Sequence, residues 1–360
     1  NEPVNMLTLS PSLNADLHCH SVVSDGTQTP EWLAERAHAN GVQLWALTDH
    51  DEVGGIDRAA AAAAALGLPF LAGVEISVTW ADKTVHIVGL GIDHTQPALI
   101  EGLRRTRGGR EERAREMARQ LEQVGIPGAF EGALRYVGNP DLISRSHFAR
   151  YLVEIGACAD IGEIFRRFLT EGKPGFVPHR WATLEQAVGW IRDAGGMAII
   201  AHPARYGFTP QQEHALFSSF CQLGGQGVEV VTCSHTAEEV EVYHRMALDF
   251  GLYASRGSDF HSPGESRLDL GLLPPLPSGL TPVWEHLGHR VRMPDGASAT
   301  GAGRRHRQTA PGGLRSAPVR KPQWKGREED SPRPGPRPPP TATPAPGEPP
   351  PPVPPPGPNA

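Results

Sequence analysis

The stretch DLHCHSVVSDG, residues 16–26, is the most informative part of this chain, because it closes a short apolar strand with two alternating histidines. Side chains at positions i and i+2 of a strand share a face, so His18 and His20 can approach one metal ion together. Cys19 points the other way and is predicted to fill space in the core. Asp25 follows in a Ser-Asp-Gly turn, where an aspartate is often only a turn residue. Alone, this motif is weak evidence for a metal site.

Short apolar strands alternate with helical patterns on both sides of a central interruption. Strands are predicted at residues 15–20, 42–50, 69–77, 85–92, 197–203, 227–232 and 252–261. Helices are predicted at 30–40, where Thr29 precedes Pro30 as an N-cap, and at 55–66. This alternation is typical of a parallel sheet or barrel, so the predicted fold class is α/β.

The interruption between about residues 96 and 175 consists of charged helical patterns such as LIEGLRRTRGGREERAREMARQLEQVG. We interpret it as a helical insert, residues 96–175, that covers the site of a barrel formed by residues 14–95 and 176–287.

The compartment is predicted from what the sequence lacks. No apolar run reaches the roughly 18–20 residues of a membrane span, so we expect a soluble protein. Residues 1–14 lack the basic and apolar regions of a secretory signal. The four cysteines, Cys19, Cys158, Cys221 and Cys233, form no C-x-x-C pair. Reduced thiols and a cytoplasmic location are therefore expected.

Proline and charge are unevenly distributed. Residues 291–360 contain 20 of the 36 prolines, with 11 Lys+Arg and 5 Asp+Glu, and are predicted to form a disordered tail of net charge +6. Residues 1–290 contain the other 23 basic and 35 acidic residues, a net charge of −12. A body this acidic repels nucleic-acid phosphates. We therefore expect no DNA duplex as a partner, and any nucleotide must be held by metal ions and a few cations.

Histidines and carboxylates recur at the C-terminal ends of the predicted strands, where parallel α/β folds place their sites. The clusters are DLHCH, SDG, TDHD, VE, AHP and DFH. Glu75 follows an apolar run and would be costly to bury without a cation, whereas His86 lies in mid-strand and alone would be read as a core histidine. The candidate ligands are His18, His20, Asp25, His50, Glu75, His86, His202, Asp259 and His261.

Nine mixed imidazole and carboxylate ligands are too many for one ion and too rich in nitrogen for a purely Mg or Ca site. They suit two or three Mn, Fe or Zn ions bridged by a carboxylate. Such a cluster polarises a phosphoryl oxygen and supplies hydroxide at neutral pH.

The motifs DLHCHSVVSDG, ALTDHDEVGG, GVEIS, IIAHP and GSDFH resemble, in order and spacing, the PHP (polymerase and histidinol phosphatase) family, over residues 14–287. Within that family the insert and the segments RSHFARYLV, GKPGFVPHRW, AHPARY and ASRGSDFH are similar to the branch of 3′,5′-nucleoside bisphosphate phosphatases and 5′→3′ exoribonucleases.

The resemblance implies a distorted seven-stranded, TIM-like (β/α) barrel with a trinuclear, usually manganese, centre. It implies that His18, His20, Glu75 and Asp259 hold one ion, and that Glu75 bridges to a second ion held with His86 and His202. It also implies that Asp25, His50 and His261 hold the third. Asp16, Asp49 and Asp51 are candidates to orient ligand histidines, or else are turn and cap residues. Ser146 departs from the proline expected in an Arg-Pro-His segment.

The activity implied is hydrolysis of the 5′-phosphate of 3′,5′-bisphosphonucleotides, or of 5′-phosphorylated short RNA, by metal-bound hydroxide in an in-line displacement. The catalytic residues would be the metal ligands other than His86, namely His18, His20, Asp25, His50, Glu75, His202, Asp259 and His261. A second phosphate needs separate cations, because arginine binds phosphate through two hydrogen bonds. The candidate substrate contacts, each also readable as an ordinary surface or structural residue, are Arg145, His147, Lys173, Arg180, Arg205 and His235.

Three other functions remain open at the level of sequence. A histidinol-phosphate phosphatase would share the metal centre and differ in its pocket. The exonuclease domain of bacterial replicative polymerases is also related, but this chain has no room for polymerase modules. A non-catalytic phosphate-binding scaffold would be expected to have lost ligands, and none of the nine is missing.

Overall fold

The computed structural model describes residues 10–294. The predicted proline-rich tail lies almost wholly outside the described residues. One part of that prediction does fall inside them: the backbone of Arg292 pairs with Phe70 through hydrogen bonds of 2.8 and 3.1 Å. The side chain of Val291 packs against the buried apolar cluster that includes Leu17 and Trp284. The tail predicted to start at 291 therefore begins with residues that belong to the folded body.

Seven strands form one sheet in chain order, and the sheet curves into a nearly closed barrel. Across the seam, the amide of Leu17 donates to the carbonyl of Arg256 at 3.0 Å, and the amide of Asp259 donates to the carbonyl of His18 at 2.7 Å. The strands are β1 Ala15–Asp16, β2 Leu44–Leu47, β3 Phe70–Trp80, β4 Lys83–Leu90, β5 Met197–Ile200, β6 Gly227–Thr232 and β7 Tyr253–Gly257.

Strand β4 runs antiparallel to both of its neighbours, whereas the other pairings are parallel. A tight turn at Ala81 and Asp82, both with positive φ (47° and 58°), joins β3 to β4. Because β4 is reversed, its N-terminal half lies beside the C-terminal ends of the parallel strands. This reversal is the distortion of the barrel, and it brings the mid-strand His86 to the same end as the other candidate ligands.

Helices cover the outside of the barrel, and the start signal predicted at Thr29 and Pro30 is confirmed. Helix α1 begins at Pro30, where the side chain of Thr29 accepts a hydrogen bond from the amide of Trp32 at 3.2 Å. The barrel helices are α1 Pro30–Ala39, α2 Ile56–Leu66, α3 Pro97–Arg107, α8 Leu184–Asp193, α9 Pro210–Gln222, α10 Ala237–Phe250 and α11 Val283–Leu287. The helices between α3 and α8 are α4 Arg110–Gln123, α5 Ala129–Leu134, α6 Arg145–Glu154 and α7 Ile161–Ile164.

The insert has an apolar core of its own, which includes Met117, Leu121, Phe148 and Leu152. Helix α3 does not share it, because Leu99 and Leu103 pack into the barrel core instead. A side chain at Gly102 would lie 2.4 Å from the ring of Trp190 on α8, so glycine permits this close helix contact. The packing therefore places α3 with the barrel and begins the insert at α4, later than the predicted residue 96.

The interior of the barrel is filled below the candidate ligands. Leu17, Leu44, Leu71 and Ile199 are buried there, and the indole of Trp284 from α11 closes the lower end. This packed floor leaves only the C-terminal ends of the strands open to a ligand. Among the described residues no helix is long and apolar enough to cross a membrane.

Candidate metal centre

The nine candidate ligands converge at the C-terminal end of the barrel. Six of them are almost fully buried, and His50, His86 and His261 expose 15–20% of their side chains. Nitrogen and oxygen atoms close enough to share a metal ion occur in three overlapping groups. Because six of the seven strands, or the loops that follow them, contribute, the site depends on the closed barrel rather than on one local motif.

The first group joins the two histidines of DLHCH to two carboxylates. His18 Nε2 and His20 Nε2 each lie 3.2 Å from Glu75 Oε2. His20 Nε2 is also 3.1 Å from Asp259 Oδ1. The backbone of Gly257 lies close to His18, and glycine is needed there because a Cβ at residue 257 would lie 2.3 Å from the Cβ of His18.

The second group consists of His50, Glu75 and His86, and His202 lies beside it. Glu75 Oε1 lies 2.9 Å from His86 Nδ1 and 3.0 Å from His202 Nε2, and these two nitrogens are 3.4 Å apart. The two oxygens of Glu75 thus face two different sets of ligands, which is the geometry of a bridging carboxylate.

The third group surrounds Asp25. Asp25 Oδ1 lies 3.3 Å from His261 Nε2 and 3.8 Å from His50 Nε2, with His20 Nδ1 also at 3.8 Å. The other ring nitrogen of His50 is 3.0 Å from Glu75 Oε2. His50 therefore belongs to both the second and the third group.

The buried polar atoms of this cluster fit a set of divalent cations. Within residues 10–294, His20 Nδ1, Asp25 Oδ1, His50 Nδ1 and Glu75 Oε2 are buried and make no hydrogen bond. A buried polar atom without a partner costs about 1–3 kcal/mol, and a cation would satisfy several of them at once. Imidazole and carboxylate donors together suit Mn, Fe or Zn.

The protein keeps the carboxylates of the cluster ionised. Burial alone would raise the pKa of Glu75, but His86 and His50 hold it well below its usual range. In the same way His261 and His50 outweigh the burial of Asp25 and lower its pKa. Burial would lower the pKa of His20, but Asp259 and Glu75 raise it to about 10. A proton therefore occupies His20 in the metal-free protein, and metal binding must release it.

The backbone turns sharply at two ligands. His202 has φ 26° and Asp259 has φ 52°, values that non-glycine residues adopt rarely and at a cost of about 1–3 kcal/mol. Because of the turn at Asp259, this residue joins the first group while His261 joins the third.

The three neighbouring aspartates hold loops rather than histidines. Asp16 accepts hydrogen bonds from the amides of Ser258 and Gly271, and Asp49 accepts from the amide and hydroxyl of Ser21. Asp51 accepts from the amide and hydroxyl of Ser77. In the described part of the chain none of the three bonds to a histidine ring. They fix the ligand-bearing loops, and the suggestion that they orient ligand histidines is wrong.

Glu229 on β6 was not among the predicted residues. It is 1% exposed, and its Oε1 lies 2.6 Å from His18 Nδ1 while its Oε2 accepts a hydrogen bond from the amide of His202 at 2.7 Å. The signal was present in GVEVVT, where a glutamate interrupts an apolar strand as Glu75 does. The argument that made Glu75 a candidate applies equally to Glu229.

A cavity of about 610 Å³ opens above the cluster. One wall is formed by seven of the nine candidate ligands, all except His18 and His20, and by Arg205, whose guanidinium lies 2.6 Å from Asp259 Oδ2. The insert and the segment after it contribute the other side, with Arg110, Arg113, Arg145 and Trp181.

The three arginines contributed by the insert form a group of like charges, which we call the arginine wall. Burial, followed by the proximity of Arg145 and Arg110, lowers the pKa of Arg113 to about 9. Burial and Arg110 also lower the pKa of Arg145. Arg110 pairs with Asp51 and lies 4.5 Å from the ring of Trp181. Cations held this close together favour an anionic ligand. Neither Arg110 nor Arg113 was predicted.

Of the predicted substrate contacts, Arg145 and Arg205 line the cavity, and four residues do not. His147 is fully buried and accepts a hydrogen bond from the amide of Ser144 at 3.0 Å, as the third helical residue of the capping box that begins α6. Lys173 and Arg180 are exposed on the surface. His235 donates from Nδ1 to the carbonyl of Val230 at 2.9 Å. These four positions are explained by local structure and solvent rather than by the cavity.

Ser146, the position at which the family pattern led us to expect proline, connects the insert to the metal site. Its hydroxyl donates to Asp25 Oδ2 at 2.9 Å. The substitution leaves Arg145 pointing into the cavity and His147 capping α6.

Several known proteins are similar to this chain in sequence. The PHP domain profile matches residues 16–130. The 3′,5′-nucleoside bisphosphate phosphatase of Chromobacterium violaceum is 53% identical over 281 residues, which cover 78% of this chain and 99% of that protein. The 5′-3′ exoribonuclease of Haemophilus influenzae is 43% identical over 270 residues, covering 75% of this chain and 97% of that protein.

Two solved structures match the fold over most of their length. An amidohydrolase from Chromobacterium violaceum with bound sulfate is 53% identical, with a TM-score of 0.76 over 78% of this chain and 98% of that one. A metal-dependent phosphoesterase from Bifidobacterium adolescentis is 28% identical, with a TM-score of 0.66 over 77% and 96% of the two chains.

Proposed function

We propose that this chain, which belongs to the PHP domain family, is a metal-dependent phosphoesterase of nucleoside 3′,5′-bisphosphates and short 5′-phosphorylated RNA. One observation carries the proposal: the three ligand groups and the arginine wall line the same cavity. A substrate with two phosphates could place one at each. The relatives named as 3′,5′-nucleoside bisphosphate phosphatase and 5′-3′ exoribonuclease support this class of substrate.

The ligand-bearing wall of the cavity and the arginine wall would have different roles in catalysis. Divalent ions held by the nine ligands would polarise the phosphoryl oxygens and lower the pKa of water. Arg110, Arg113 and Arg145 would hold the second phosphate and so position the reacting ester. Cys233 also lines the cavity, but burial and the nearby Asp259 raise its pKa to about 11, so its thiol is not suited to act as a nucleophile.

The metal is proposed to be manganese, with two or three ions per chain. Three overlapping ligand groups support that number, and the mixed donors are compatible with Mn as well as with Fe or Zn. Elemental analysis after Mn reconstitution tests it. Fewer than one tightly bound ion per chain would contradict the proposal.

The RNA substrate constrains the pose. A 5′→3′ exoribonuclease releases nucleotides from the 5′ end, so it cleaves the ester on the 3′ side of the first nucleotide. In that pose the arginine wall holds the 5′-phosphate, and a 3′,5′-bisphosphate would yield a nucleoside 5′-monophosphate. The reverse pose, with the 5′-phosphate at the metals as expected from the sequence, would yield a nucleoside 3′-monophosphate. Chromatography of the product separates the two poses.

The test of function is a comparison of phosphate release from adenosine 3′,5′-bisphosphate, adenosine 5′-monophosphate and L-histidinol phosphate, with nucleotide release from 5′-phosphorylated oligoribonucleotides measured alongside, all with Mn. The bisphosphate should exceed adenosine 5′-monophosphate by about 100-fold or more in kcat/KM, because the monophosphate lacks the reacting phosphate in the first pose and the phosphate that positions it in the reverse pose. Equal rates within a few-fold would contradict the proposal. Histidinol phosphate as the best substrate would favour the histidinol-phosphate phosphatase alternative.

Substitutions locate the second phosphate. Arg145→Ala should remove part of the preference for the bisphosphate while changing monophosphate turnover little. Lys173→Ala is the matched control, because Lys173 is exposed and does not line the cavity. A loss of preference in the control and not in Arg145→Ala would place the subsite elsewhere.

A further inference from the structure

We propose that Glu229 is a positioning residue that fixes the tautomer of His18 and the backbone of His202, and so links the first ligand group to the second. The inference rests on the metal centre of the proposed function but not on the substrate. Within the described residues β6 is the one strand from which none of the nine candidate ligands comes. Its buried carboxylate instead contacts ligands carried by β1 and β5.

The tautomer of His18 follows from the contacts of its two ring nitrogens. Nε2 lies 3.2 Å from Glu75 Oε2, inside the first ligand group, so Nε2 must keep its lone pair free for a metal. The proton of the neutral ring must then reside on Nδ1. Glu229 Oε1, at 2.6 Å from Nδ1, accepts that proton in a hydrogen bond. A carboxylate behind a ligand histidine orients the ring and raises its basicity.

The second oxygen of Glu229 has an equally fixed partner. It lies 2.7 Å from the backbone nitrogen of His202, which is always a donor, at a residue whose φ is 26°. The hydrogen bond therefore supports a strained backbone at the residue that follows β5 and places its imidazole beside Glu75 and His86. Both partners of Glu229 are donors, and the position requires two acceptors.

A carboxylate offers two acceptors, whereas glutamine of the same size offers one acceptor and one donor. If the glutamine oxygen faces the amide of His202, its NH₂ donates to His18 Nδ1. The proton of His18 then moves to Nε2, and Nε2 no longer has a free lone pair with which to bind a metal ion. If the side chain is turned around, the NH₂ meets the amide of His202 and a buried donor is left unsatisfied. Aspartate is shorter but keeps both acceptors.

The experiment compares Glu229→Gln and Glu229→Asp with the wild-type full-length chain, with Glu213→Gln as control. Glu213 accepts from the hydroxyl of Tyr243 at 2.6 Å, and glutamine can also accept there. Bound Mn is counted by elemental analysis, and affinity is measured by competition with a chelator, without substrate. Thermal unfolding of the metal-free proteins checks the fold.

The expected result is that Glu229→Gln loses about one tightly bound ion, or weakens metal binding by about 10–100-fold, while Glu229→Asp keeps more affinity than Glu229→Gln. The inference is overturned if Glu229→Gln binds as many ions, and as tightly, as the wild type. It is also overturned if Glu229→Asp binds metal more weakly than Glu229→Gln. If Glu229→Gln does not fold, Glu229→Asp decides: retention of the wild-type number of ions supports the inference, and loss of an ion overturns it. A wild-type chain that binds no metal would refute the metal centre itself, which is a separate failure.

Discussion

At the scale of single residues, we expect metal binding to require both Asp259 and His18. Both belong to the first ligand group, and Asp259 Oδ1 also lies 3.6 Å from His261 Nδ1 of the third. We expect His18→Ala or Asp259→Ala to lose metal and nearly all activity but to leave the barrel folded, because the ligands lie above a separate apolar floor. Metal analysis and far-UV circular dichroism check this. Full metal content in either variant would contradict the ligand assignment.

His147 is expected to make stability depend on pH. It is buried in the capping box of α6, and burial lowers its pKa to about 4, against about 6.5 when unfolded. Between pH 6.5 and 4 the unfolded state therefore binds more protons. The free energy of unfolding should fall as the pH falls through this window, with His147 contributing about 2–3 kcal/mol.

His147→Gln isolates this effect, because glutamine suits the same capping position and does not titrate. Urea unfolding at pH 7 and pH 4.5 should show a smaller loss of stability in the variant than in the wild type. Other histidines and any metal release affect both proteins and cancel in the comparison. An identical pH dependence in the two proteins would show that His147 is not the group responsible.

At the scale of elements, the insert is joined to the barrel by a bidentate ion pair. Arg150 on α6 donates to both oxygens of Glu265, in the loop after β7, at 2.8 and 2.9 Å, and its side chain is only 6% exposed. A double-mutant cycle should give a coupling energy of about 1–2 kcal/mol. The single variants should also raise KM, because α6 carries Arg145 of the arginine wall.

The pair Arg104–Glu101 on α3 is the matched control for this cycle. Its side chains are 66% and 42% exposed, so its coupling should be near zero. Equal coupling energies in the two cycles would mean that Arg150–Glu265 is an ordinary surface pair and does not hold the insert.

The comparison of sequence with structure also divides by element. The ligands could be predicted because a histidine or carboxylate at the end of an apolar strand is a local signal. Arg110 and Arg113 could not, because they lie in RGGREERAREMARQ, whose alternating charges are typical of a solvated helix. Only the fold shows that both face Trp181 and the cavity. The antiparallel orientation of β4 could not be predicted either, because an apolar strand pattern does not indicate in which direction the strand runs relative to its neighbours.

At the scale of the whole molecule, removal of residues after Pro294 tests the role of the tail. Truncation there should leave turnover and thermal stability nearly unchanged. Truncation after Arg290 should instead destabilise the body, because it removes the two backbone hydrogen bonds between Arg292 and Phe70. Thermal unfolding of both truncated proteins separates these cases. A tenfold drop in kcat on removal of residues 295–360 would show that the tail takes part in the reaction.

The charge of the whole chain leads to a prediction about RNA length. Residues 1–290 carry a net charge of −12, so the body should hold RNA only through the few phosphates at the ligand groups and the arginine wall. For a chain truncated after Pro294, the slope of log kcat/KM against log salt should be about −1.4 to −2, as expected for two or three phosphate contacts on a single strand. The slope should be the same for 5′-phosphorylated oligoribonucleotides of 4 and of 20 nucleotides. A slope that steepens with length would reveal an extended basic path. If steepening occurs only in the full-length protein, the basic residues after 294 provide that path.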